Sequence, residues 1–281
     1  MRAFNMHLTE EQLLIYKNQG FLVLPEYFSR GEIEAMKAEL SSLSADNSPK
    51  KVLEKDGKTV RSLHGSHTTN DVFNRLTRHP FIVEPAMQIV GSQVYIYQFK
   101  INLKAAFSGD IWKWHQDYIY WRKEDGMPRP QVVNAMCLLD DMNEFNGPLF
   151  LIPGSHKEEM IDVTAHSSNE SQGWISSFSA NLKYSLNQKL ITDLVSKYGI
   201  TFIKAAAGSL VFFDSNIVHA SSNNISPFGR STVIITYNSI ENIPSPTINP
   251  RPHFLVSQDY RPVIPLASDM LSQLSSQGNC I

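Results

Sequence analysis

Apolar positions in the first part of the chain recur at helical spacing. Thr9-Glu-Glu-Gln12 is a capping-box pattern, and the apolar residues that follow it predict a short helix. Ser29-Arg-Gly-Glu32 repeats the pattern ahead of a second predicted helix, and the stretch from Phe73 to Val90 is also helical in pattern. The short run from Phe21 to Leu24 predicts a strand. We therefore expect a mostly helical preface over residues 1–92.

From Gln93 onward the pattern changes from helical spacing to alternation. Val94 to Asn102 alternates and is rich in β-branched and aromatic residues, and turn residues such as those at Asn146-Gly147-Pro148 separate similar short runs. The further predicted strands are Val132–Leu139, Pro148–Ile152, Thr201–Lys204, Ser209–Phe213 and Thr232–Tyr237. Many short strands after a group of helices are typical of an antiparallel sandwich or jelly roll with helices packed outside.

Three stretches stand apart from this pattern. Residues 167–197 are polar, with a helical pattern near their end, and are expected to form an insertion near the mouth of the barrel. The segment from Ser48 to Arg61 is rich in lysine and poor in apolar residues, which predicts a mobile loop or the margin of a lid. Two interpretations of it remain open, a solvated surface loop and a patch for a phosphate-bearing substrate. The tail, residues 266–281, is expected to form a helical turn or two and then fray.

Length and composition are those of one ordinary globular domain. A chain of 281 residues can bury a substantial core, and we expect a single domain with its jelly-roll core at residues 93–265. A formal net charge of -2 and an apolar content of 42% favour neither nucleic acid nor an anionic membrane as a partner. The sequence leaves the oligomeric state open.

Cysteine usage and the absence of a long apolar run bear on the location of the protein. Cys137 and Cys280 cannot build a disulfide framework and are expected to remain thiols. No apolar stretch approaches the roughly 20 residues that a bilayer span needs. We therefore expect a cytoplasmic protein.

A candidate metal site lies in the motif from Trp112 to Tyr118. His115 and Asp117 are two residues apart, the spacing at which alternate residues of a strand share one face. A second imidazole from a distant strand would complete a two-His, one-carboxylate triad, which suits Fe(II) and leaves positions open for oxygen and an oxidisable cosubstrate. His219, which follows the predicted strand at 209–213, is the expected third ligand.

Arg230 supplies a second chemical signal, because it starts an otherwise apolar strand eleven residues after His219. A guanidinium directed into a barrel needs a carboxylate partner, and the far carboxylate of 2-oxoglutarate would supply one while its 2-oxo acid end chelates iron. Ser221, Gln98 and Asn102 are candidates for additional hydrogen bonds to this cosubstrate. For those three residues, an ordinary polar role in a strand or turn remains an open alternative.

These motifs resemble the phytanoyl-CoA dioxygenase family of Fe(II)- and 2-oxoglutarate-dependent oxygenases. The resemblance is carried by His115-Gln-Asp117, His219, Arg230 and the Pro153-Gly-Ser-His156 turn, and it covers nearly the whole chain. It implies a mainly β fold, the double-stranded β-helix (jelly roll, cupin-like), with flanking α-helices. It also implies that 2-oxoglutarate and O2 become succinate and carbon dioxide while an unactivated carbon is hydroxylated.

Within that family the chain is similar to hydroxylases of small molecules. Val94-Tyr-Ile-Tyr-Gln98 and Glu144-Phe-Asn-Gly-Pro148 are similar to ectoine hydroxylases, but Tyr118-Ile-Tyr-Trp121 departs from their Phe-Glu-Thr-Trp. Asn224-Ile-Ser-Pro227 and Ile234-Ile-Thr-Tyr-Asn238 resemble leucine 5-hydroxylases of natural-product biosynthesis. The resemblance therefore predicts hydroxylation of a free L-amino acid, leucine or a close analogue, with another small metabolite as the alternative. The alternative from another class is a jelly roll that binds a ligand without catalysis.

The substrate is expected beside the open iron positions. The residues predicted to surround it are Tyr118, Trp121, Arg122, Asn134 and Arg251, together with the polar insertion. A free amino acid needs a cation for its carboxylate, and Arg251, between Pro250 and Pro252, is the preferred candidate. Arg122 is the alternative anchor, and for both arginines a solvated surface role remains open.

Overall fold

The computed structural model describes residues 6–165, 174–175, 178 and 182–267. Two antiparallel β-sheets face each other, and helices cover the outer face of the larger sheet. The structure thus confirms the predicted mainly β jelly roll with flanking helices. The α-helices among the described residues are α1 Glu10–Gln19, α2 Arg30–Ala45, α3 Asp71–Leu76, α4 Pro80–Val90, α5 Tyr118–Asp125 and α6 Gln188–Tyr198.

Strands supply both layers of the jelly roll. They are β1 Phe21–Leu24, β2 Lys51–Leu53, β3 Val60–His64, β4 Val94–Lys104, β5 Trp112–His115, β6 Val132–Leu138, β7 Leu149–Leu151, β8 Thr201–Phe202, β9 Leu210–Asp214, β10 His219–Ser221 and β11 Arg230–Ser239. The larger sheet has the order β1-β9-β6-β11-β4-β3-β2, and the smaller sheet has the order β5-β10-β7-β8. Long strands β4 and β11 therefore lie side by side near the middle of the larger sheet.

Alternation along the strands sends apolar side chains to both faces of the larger sheet. On the outer face, β4 and β6 residues such as Phe99 and Val133 pack with Phe73 and Ile82 of the helices. On the inner face, β6 and β11 residues pack against the smaller sheet, as Ile234 does with Leu149 and Leu151. The inner face becomes polar near strands β5 and β10, and a cavity lies between the two sheets there.

The predicted helix boundaries follow from local chemistry. The Thr9 hydroxyl accepts a hydrogen bond from the Gln12 N–H, and the Gln12 side chain accepts one from the Thr9 N–H, which completes the predicted capping box of α1. Gly20 ends α1 in the left-handed region at φ 79°, and a Cβ there would lie only 2.5 Å from His156 Nδ1. Ser29 and Glu32 form the second predicted capping box, at the start of α2.

The segment from Ser48 to Arg61 is not the loop that its composition predicts. Strands β2 and β3 form a hairpin there, and β3 joins the larger sheet by pairing with β4. Val52 is buried and Arg61 is only 2% exposed, so the hairpin has an inner side that the run of lysines conceals. The prediction failed because most of the lysines belong to the solvent side or the turn.

The helical pattern near the end of the insertion is confirmed by α6. Most of residues 166–181 and all of residues 268–281 lie outside the described residues, as therefore do the predicted helical turns of the tail and Cys280. Cys137 is a buried thiol. Among the described residues no helix combines the length and the apolar character that crossing a membrane requires. The cytoplasmic location stays a prediction.

Candidate active site

The two ligands predicted from the tryptophan-rich motif lie where β5 turns into α5. His115 is the last residue of β5, and Asp117 is the N-cap residue of α5, with φ -71° and ψ -39°. The expectation that both residues alternate along one strand is therefore wrong. The strand-to-helix turn nevertheless brings Asp117 Oδ1 to 3.8 Å from His115 Nε2, so the two side chains converge.

His219 completes the group. It starts β10 and lies directly opposite His115 in the antiparallel pairing of β10 with β5, and the two ring centroids are 4.2 Å apart. One ligand atom from each of His115, Asp117 and His219 lies within 4.8 Å of the others, and all three residues are buried. Two imidazoles and one carboxylate form the donor set of the facial triad that binds Fe(II).

Hydrogen bonds orient both imidazoles toward the place where the three candidate ligand atoms converge. His115 Nδ1 lies 2.6 Å from the carbonyl oxygen of Lys113, and His219 Nδ1 lies 2.9 Å from that of Ile217. Because a carbonyl oxygen can only accept, each Nδ1 carries the proton and each Nε2 presents its lone pair. This tautomer is the one that a metal ion needs at Nε2.

The carboxylate is held from behind by an amide. Asn134 Nδ2 donates to Asp117 Oδ2 at 2.9 Å, and the Thr236 hydroxyl donates to Asn134 Oδ1 at 2.7 Å. Asn134 is fully buried on β6 and does not line the cavity. Sequence reasoning placed Asn134 beside the substrate, whereas the structure puts it behind the metal-facing carboxylate, where it fixes the orientation of Asp117.

The electrostatic environment keeps the three groups in their ligating forms. Burial lowers the pKa of His115 to about 3, and the nearby His219 adds to the effect. Burial also lowers the pKa of His219. For Asp117 burial opposes the charge, but Lys100 and the two imidazoles outweigh it and hold the pKa of Asp117 below its ordinary value. At neutral pH the site therefore presents two neutral imidazoles and one carboxylate, as metal binding requires.

The register of β4 with β11 sets the order of side chains along the cavity. Lys104, Asn102, Lys100 and Gln98 lie opposite Arg230, Thr232, Ile234 and Thr236 respectively, and residues two apart on each strand share the inner face. Arg230 therefore marks one end of the cavity and Gln98 lies six residues of β4 away from it. The candidate metal ligands lie on the strand and turn that face this row.

At the Arg230 end, buried polar atoms lack partners within the described residues. They are Arg230 Nε, Asn102 Oδ1 and Thr232 Oγ1. Arg230 is 5% exposed, and Ser221 is its one hydrogen-bond partner in the described part of the chain, at 3.4 Å. Since buried polar atoms are rarely left unmatched in a folded protein, these atoms fit a polar ligand that enters the cavity. We call Asn102, Ser221, Arg230 and Thr232 the cosubstrate end, because we propose that a cosubstrate binds there.

Two basic side chains lie close together at the cosubstrate end. Lys104 lies opposite Arg230, and within the described residues its side-chain nitrogen donates to the carbonyl oxygens of Asp110, at 2.9 Å, and Ser222, at 2.5 Å. Burial lowers the pKa of Lys104 to about 6, and Arg230 contributes through repulsion. Burial likewise lowers the pKa of Arg230 to about 10. Gly147 allows this packing, because a Cβ there would lie 2.3 Å from Lys104 Cδ. A ligand carboxylate beside Arg230, which lines the cavity, would favour the charged form of the guanidinium.

The opposite end of the cavity is aromatic and contains Arg251. Arg251 donates from Nε to Asp125 Oδ1 at 2.7 Å and from Nη2 to Asp125 Oδ2, and Asp125 also accepts from the Tyr97 hydroxyl. Tyr97 adjoins Gln98, so Arg251 lies at the far end of β4 from Arg230. Tyr120 and Trp121 of α5 line this part of the cavity. We call Gln98, Tyr120, Trp121 and Arg251 the substrate end, because we propose that the substrate binds there.

Two predicted substrate residues do not reach the cavity. Arg122 is exposed, and its Nη1 lies 3.3 Å from the Met127 carbonyl oxygen and 3.4 Å from that of Pro128. Tyr118 is buried, and its hydroxyl donates to the same Met127 carbonyl oxygen. Both lie on α5 with Tyr120 and Trp121, but only the latter two line the cavity.

Several cavity residues were missed by sequence reasoning. Lys100 and Thr232 line the cavity and lie on the two central strands, where the i, i+2 spacing from Asn102 and Arg230 could have indicated them. Trp112 and Phe178 also line it, and we call these two residues the aromatic wall. Phe178 belongs to a stretch in which no sequence signal distinguishes a residue of the site from its neighbours.

Comparison with known proteins agrees with this geometry. The sequence profile of the phytanoyl-CoA dioxygenase family matches residues 16–232, more than half of the chain and a range that includes the triad and Arg230. This chain belongs to the phytanoyl-CoA dioxygenase family. Family membership confirms that the protein is an oxygenase and accounts for the coexistence of a metal triad with a buried cation on the same inner face.

Two relatives match nearly the whole chain. An L-proline trans-4-hydroxylase of Streptomyces griseoviridis is 39% identical over 257 residues, which cover 91% of this chain and 95% of that protein. An ectoine dioxygenase of Bordetella bronchiseptica is 36% identical over 273 residues, covering 93% and 86%. This chain is therefore related to hydroxylases of amino acids and of ectoine, while the prediction of leucine is not decided by them.

Solved structures of EctD match the fold. EctD from S. alaskensis with 2-oxoglutarate and 5-hydroxyectoine has a TM-score of 0.79 and 26% identity, over 92% of this chain and 87% of that one. The form of EctD with bound Fe has a TM-score of 0.76. Together with the triad, these matches confirm the predicted fold class and the predicted cofactors, Fe(II) and 2-oxoglutarate with O2.

Proposed function

We propose that the protein hydroxylates an unactivated aliphatic carbon of a free L-amino acid, leucine or a close analogue. The observation that carries the proposal is the division of one cavity into two cationic ends, Arg230 at one and Arg251 at the other, with the triad facing the row between them. One end suits a dicarboxylic cosubstrate and the other suits an amino acid whose carboxylate is held away from its side chain.

Iron would be held by His115, Asp117 and His219. When bound there with 2-oxoglutarate, it supplies the activation of oxygen that lets an unactivated C–H bond be hydroxylated. The protein keeps the two Nε2 atoms unprotonated through carbonyl hydrogen bonds to Nδ1, and Asn134 fixes the angle of the carboxylate. Asp117 would provide a carboxylate ligand from the protein itself, which would leave the open positions for the cosubstrate and oxygen.

The cosubstrate end would bind 2-oxoglutarate. Arg230 would hold the carboxylate far from the metal, with Ser221 and Thr232 as neutral hydrogen-bond partners. The unpartnered Arg230 Nε and Thr232 Oγ1 are the atoms that such a ligand would satisfy. Burial of the charged pair strengthens it and makes arginine, with its planar fork, more suitable than lysine.

The substrate end would bind the amino acid. In addition to Arg230, two cations line the cavity, Lys100 and Arg251. Lys100 makes no ion pair or hydrogen bond with the described residues, whereas Arg251 pairs with Asp125. Asp125 already fixes Arg251, which leaves Arg251 Nη1 for a substrate carboxylate. Gln98, whose Nε2 is unpartnered within the described residues, lies at this end, so we propose it as a substrate contact rather than a cosubstrate contact.

Proline is the second candidate substrate. The relative named for proline hydroxylation is 39% identical to this chain, so a cyclic amino acid fits the same family relationship. Ectoine is the third candidate, although Tyr118-Ile-Tyr-Trp121 differs from the ectoine-type motif. All three candidates carry a carboxylate and an aliphatic carbon. The carboxylate fits the cations of the substrate end, and the aliphatic carbon fits its aromatic rings.

A substrate panel tests the proposal. Purified enzyme with Fe(II), 2-oxoglutarate and O2 would be given leucine, isoleucine, valine, methionine, proline or ectoine, with succinate and hydroxylated product measured together. We expect product from leucine to exceed that from the others. Product from proline alone would replace leucine with the second candidate, and absence of product from the whole panel would contradict the amino-acid proposal.

A spectroscopic measurement separates catalysis from simple ligand binding. An Fe(II) centre chelated by 2-oxoglutarate gives a visible charge-transfer band when oxygen is excluded. We expect this band, and we expect an effective amino acid to shift it. A jelly roll that binds a ligand without metal chemistry would give no band.

A further inference from the structure

Arg61 is a buried cation for which the proposed reaction has no direct use. It lies on β3 in the hairpin that the sequence assigned to a surface loop, and its side chain is 2% exposed. Its Nη1 pairs with Glu54 Oε2 at 3.0 Å, and the side chain of Glu54 is itself only 8% exposed. Desolvation of a buried ion pair is costly, so the pair alone does not explain why Arg61 is buried. The other contacts of Arg61 indicate its role.

Those contacts converge on the aromatic wall of the cavity. Arg61 Nε donates to the carbonyl oxygen of Phe178 at 2.8 Å, and Arg61 Nη2 donates to that of Ile111 at 2.7 Å. The guanidinium carbon lies 3.9 Å from the centre of the Trp112 ring, a cation–π geometry. One planar group therefore binds the backbone next to one wall residue, the ring of that same residue and the backbone of the other.

Apart from the contacts with Arg61, the wall is held within the described residues by the strand pairing of Trp112 with Ser221 and by apolar packing. Among the described residues, Phe178 contacts the His64 ring at a centroid distance of 4.5 Å, and it packs in one small cluster with Trp112, Val52 and Leu255. Apolar contacts of this kind are non-directional, so they favour burial of the two rings without fixing their positions. The three side-chain nitrogens of Arg61 supply directional hydrogen bonds to Phe178, Ile111 and Glu54.

We propose that Arg61, held by Glu54, is a positioning residue that fixes Trp112 and Phe178 as the wall that excludes water from the reacting centre. This inference rests on the proposed function, because it assumes a reaction in the cavity that water would compromise. Arginine suits the role, since its fork reaches Phe178, Ile111 and Glu54 at once. Lysine would keep the charge but has a single nitrogen, so it would lose most of these bonds.

Two variants test the role from opposite sides of the wall. Arg61→Lys removes the fork without entering the cavity, and Phe178→Ala removes the wall residue itself. Arg30→Lys is the matched control, because Arg30 forms an exposed pair with Glu34 on α2. For each variant we would measure the amino-acid dissociation constant without oxygen, from the shift of the charge-transfer band, and the ratio of hydroxylated product to succinate in oxygen.

We expect both variants to raise the amino-acid dissociation constant about tenfold, Arg61→Lys because it loses the hydrogen bonds that position the wall and Phe178→Ala because it loses the ring itself. Both should also lower the ratio of product to succinate, while the band itself persists at saturating 2-oxoglutarate and Arg30→Lys behaves as wild type. A purely structural role would not lower the ratio of hydroxylated product to succinate in an enzyme that still folds and binds metal.

The contradicting outcomes are distinct. If Phe178→Ala changes the ratio and Arg61→Lys does not, Arg61 does not position the wall. If Arg61→Lys loses the band, Arg61 acts through the metal-bearing strand instead, which also overturns the inference. If wild type converts no amino acid of the panel, the proposed function fails first, and the band measurement alone then reports whether the cavity still binds iron and cosubstrate.

Discussion

The two ends of the cavity are built differently. At the cosubstrate end, Asn102, Arg230 and Thr232 lie opposite or next to one another on β4 and β11, and strand register fixes their relative positions. At the substrate end, Arg251 comes from a segment without regular structure and depends on its pair with Asp125. Strand register therefore specifies the first end, whereas side-chain contacts specify the second.

The largest effect is expected from the triad that faces the row between the two ends. Asp117→Gly removes one ligand and its charge, and we expect hydroxylation to fall by more than about a hundredfold, since loss of a group behind a ligand already costs tenfold to a hundredfold. The charge-transfer band should weaken with it. Asp162→Gly, at an exposed carboxylate paired with Lys123, is the control. Full activity of Asp117→Gly, or chlorinated product from the unmodified enzyme in chloride buffer, would contradict the ligand assignment.

The next effect separates the two ends at Arg230. Losing one side of a buried charged pair typically costs about 3–5 kcal/mol. At roughly 1.4 kcal/mol per tenfold, Arg230→Ala should raise the apparent constant for 2-oxoglutarate by about two to three orders of magnitude. The apparent constant for the amino acid, measured at saturating 2-oxoglutarate, should stay near that of wild type. Arg30→Ala is the exposed control. An unchanged 2-oxoglutarate constant would mean that the cosubstrate end is misassigned.

Arg251 is expected to give the mirror image on a smaller scale. Arg251→Ala should raise the apparent constant for the amino acid about tenfold, as removal of one charge-assisted contact does, and leave the 2-oxoglutarate constant within about twofold. Arg251→Lys should recover part of the loss by restoring the charge. Equal effects of Arg251→Ala on both constants would erase the distinction between the ends.

The smallest effect concerns His64, which lies opposite Lys100 and packs on the aromatic wall. Burial, aided by Lys100 and Arg251, lowers the pKa of His64 to about 3 from its ordinary 6.5. Between those values the unfolded chain binds the proton and the folded chain does not, so stability falls as the pH drops below about 6.5. We expect wild type to lose about 1 kcal/mol more than His64→Gln for each pH unit in that range. Urea unfolding at two pH values measures it, and parallel losses would contradict a neutral buried His64.

Prediction from sequence succeeded where residue type and local pattern determine position. The capping residues Thr9 and Ser29, the alternation through Asn102 and the start of β11 at Arg230 are all local signals, and the structure has these elements where the sequence predicted them. His115, Asp117 and His219 were chosen by their donor chemistry, and they converge although Asp117 lies in a turn rather than on a strand.

Prediction failed where tertiary contacts decide. Asn134 and Arg122 are polar residues near the motif in sequence, but one is turned toward the back of Asp117 and the other toward a backbone carbonyl. Arg61 looked like one more charge in a basic loop, because its partner Glu54 and its contact with Phe178, 117 residues away, leave no local pattern. Side-chain direction at a strand edge or a helix end is set by packing, which a single sequence does not display.

The central claim is that one cavity couples 2-oxoglutarate at the Arg230 end to hydroxylation of an amino acid at the Arg251 end. The most direct test is mass spectrometry of the leucine product formed under isotopically labelled oxygen gas, with Fe(II) and 2-oxoglutarate present. We expect a monohydroxylated leucine that carries one labelled oxygen atom and forms only when 2-oxoglutarate is supplied. Labelled succinate without any hydroxylated product, from leucine and from every other member of the panel, would contradict it.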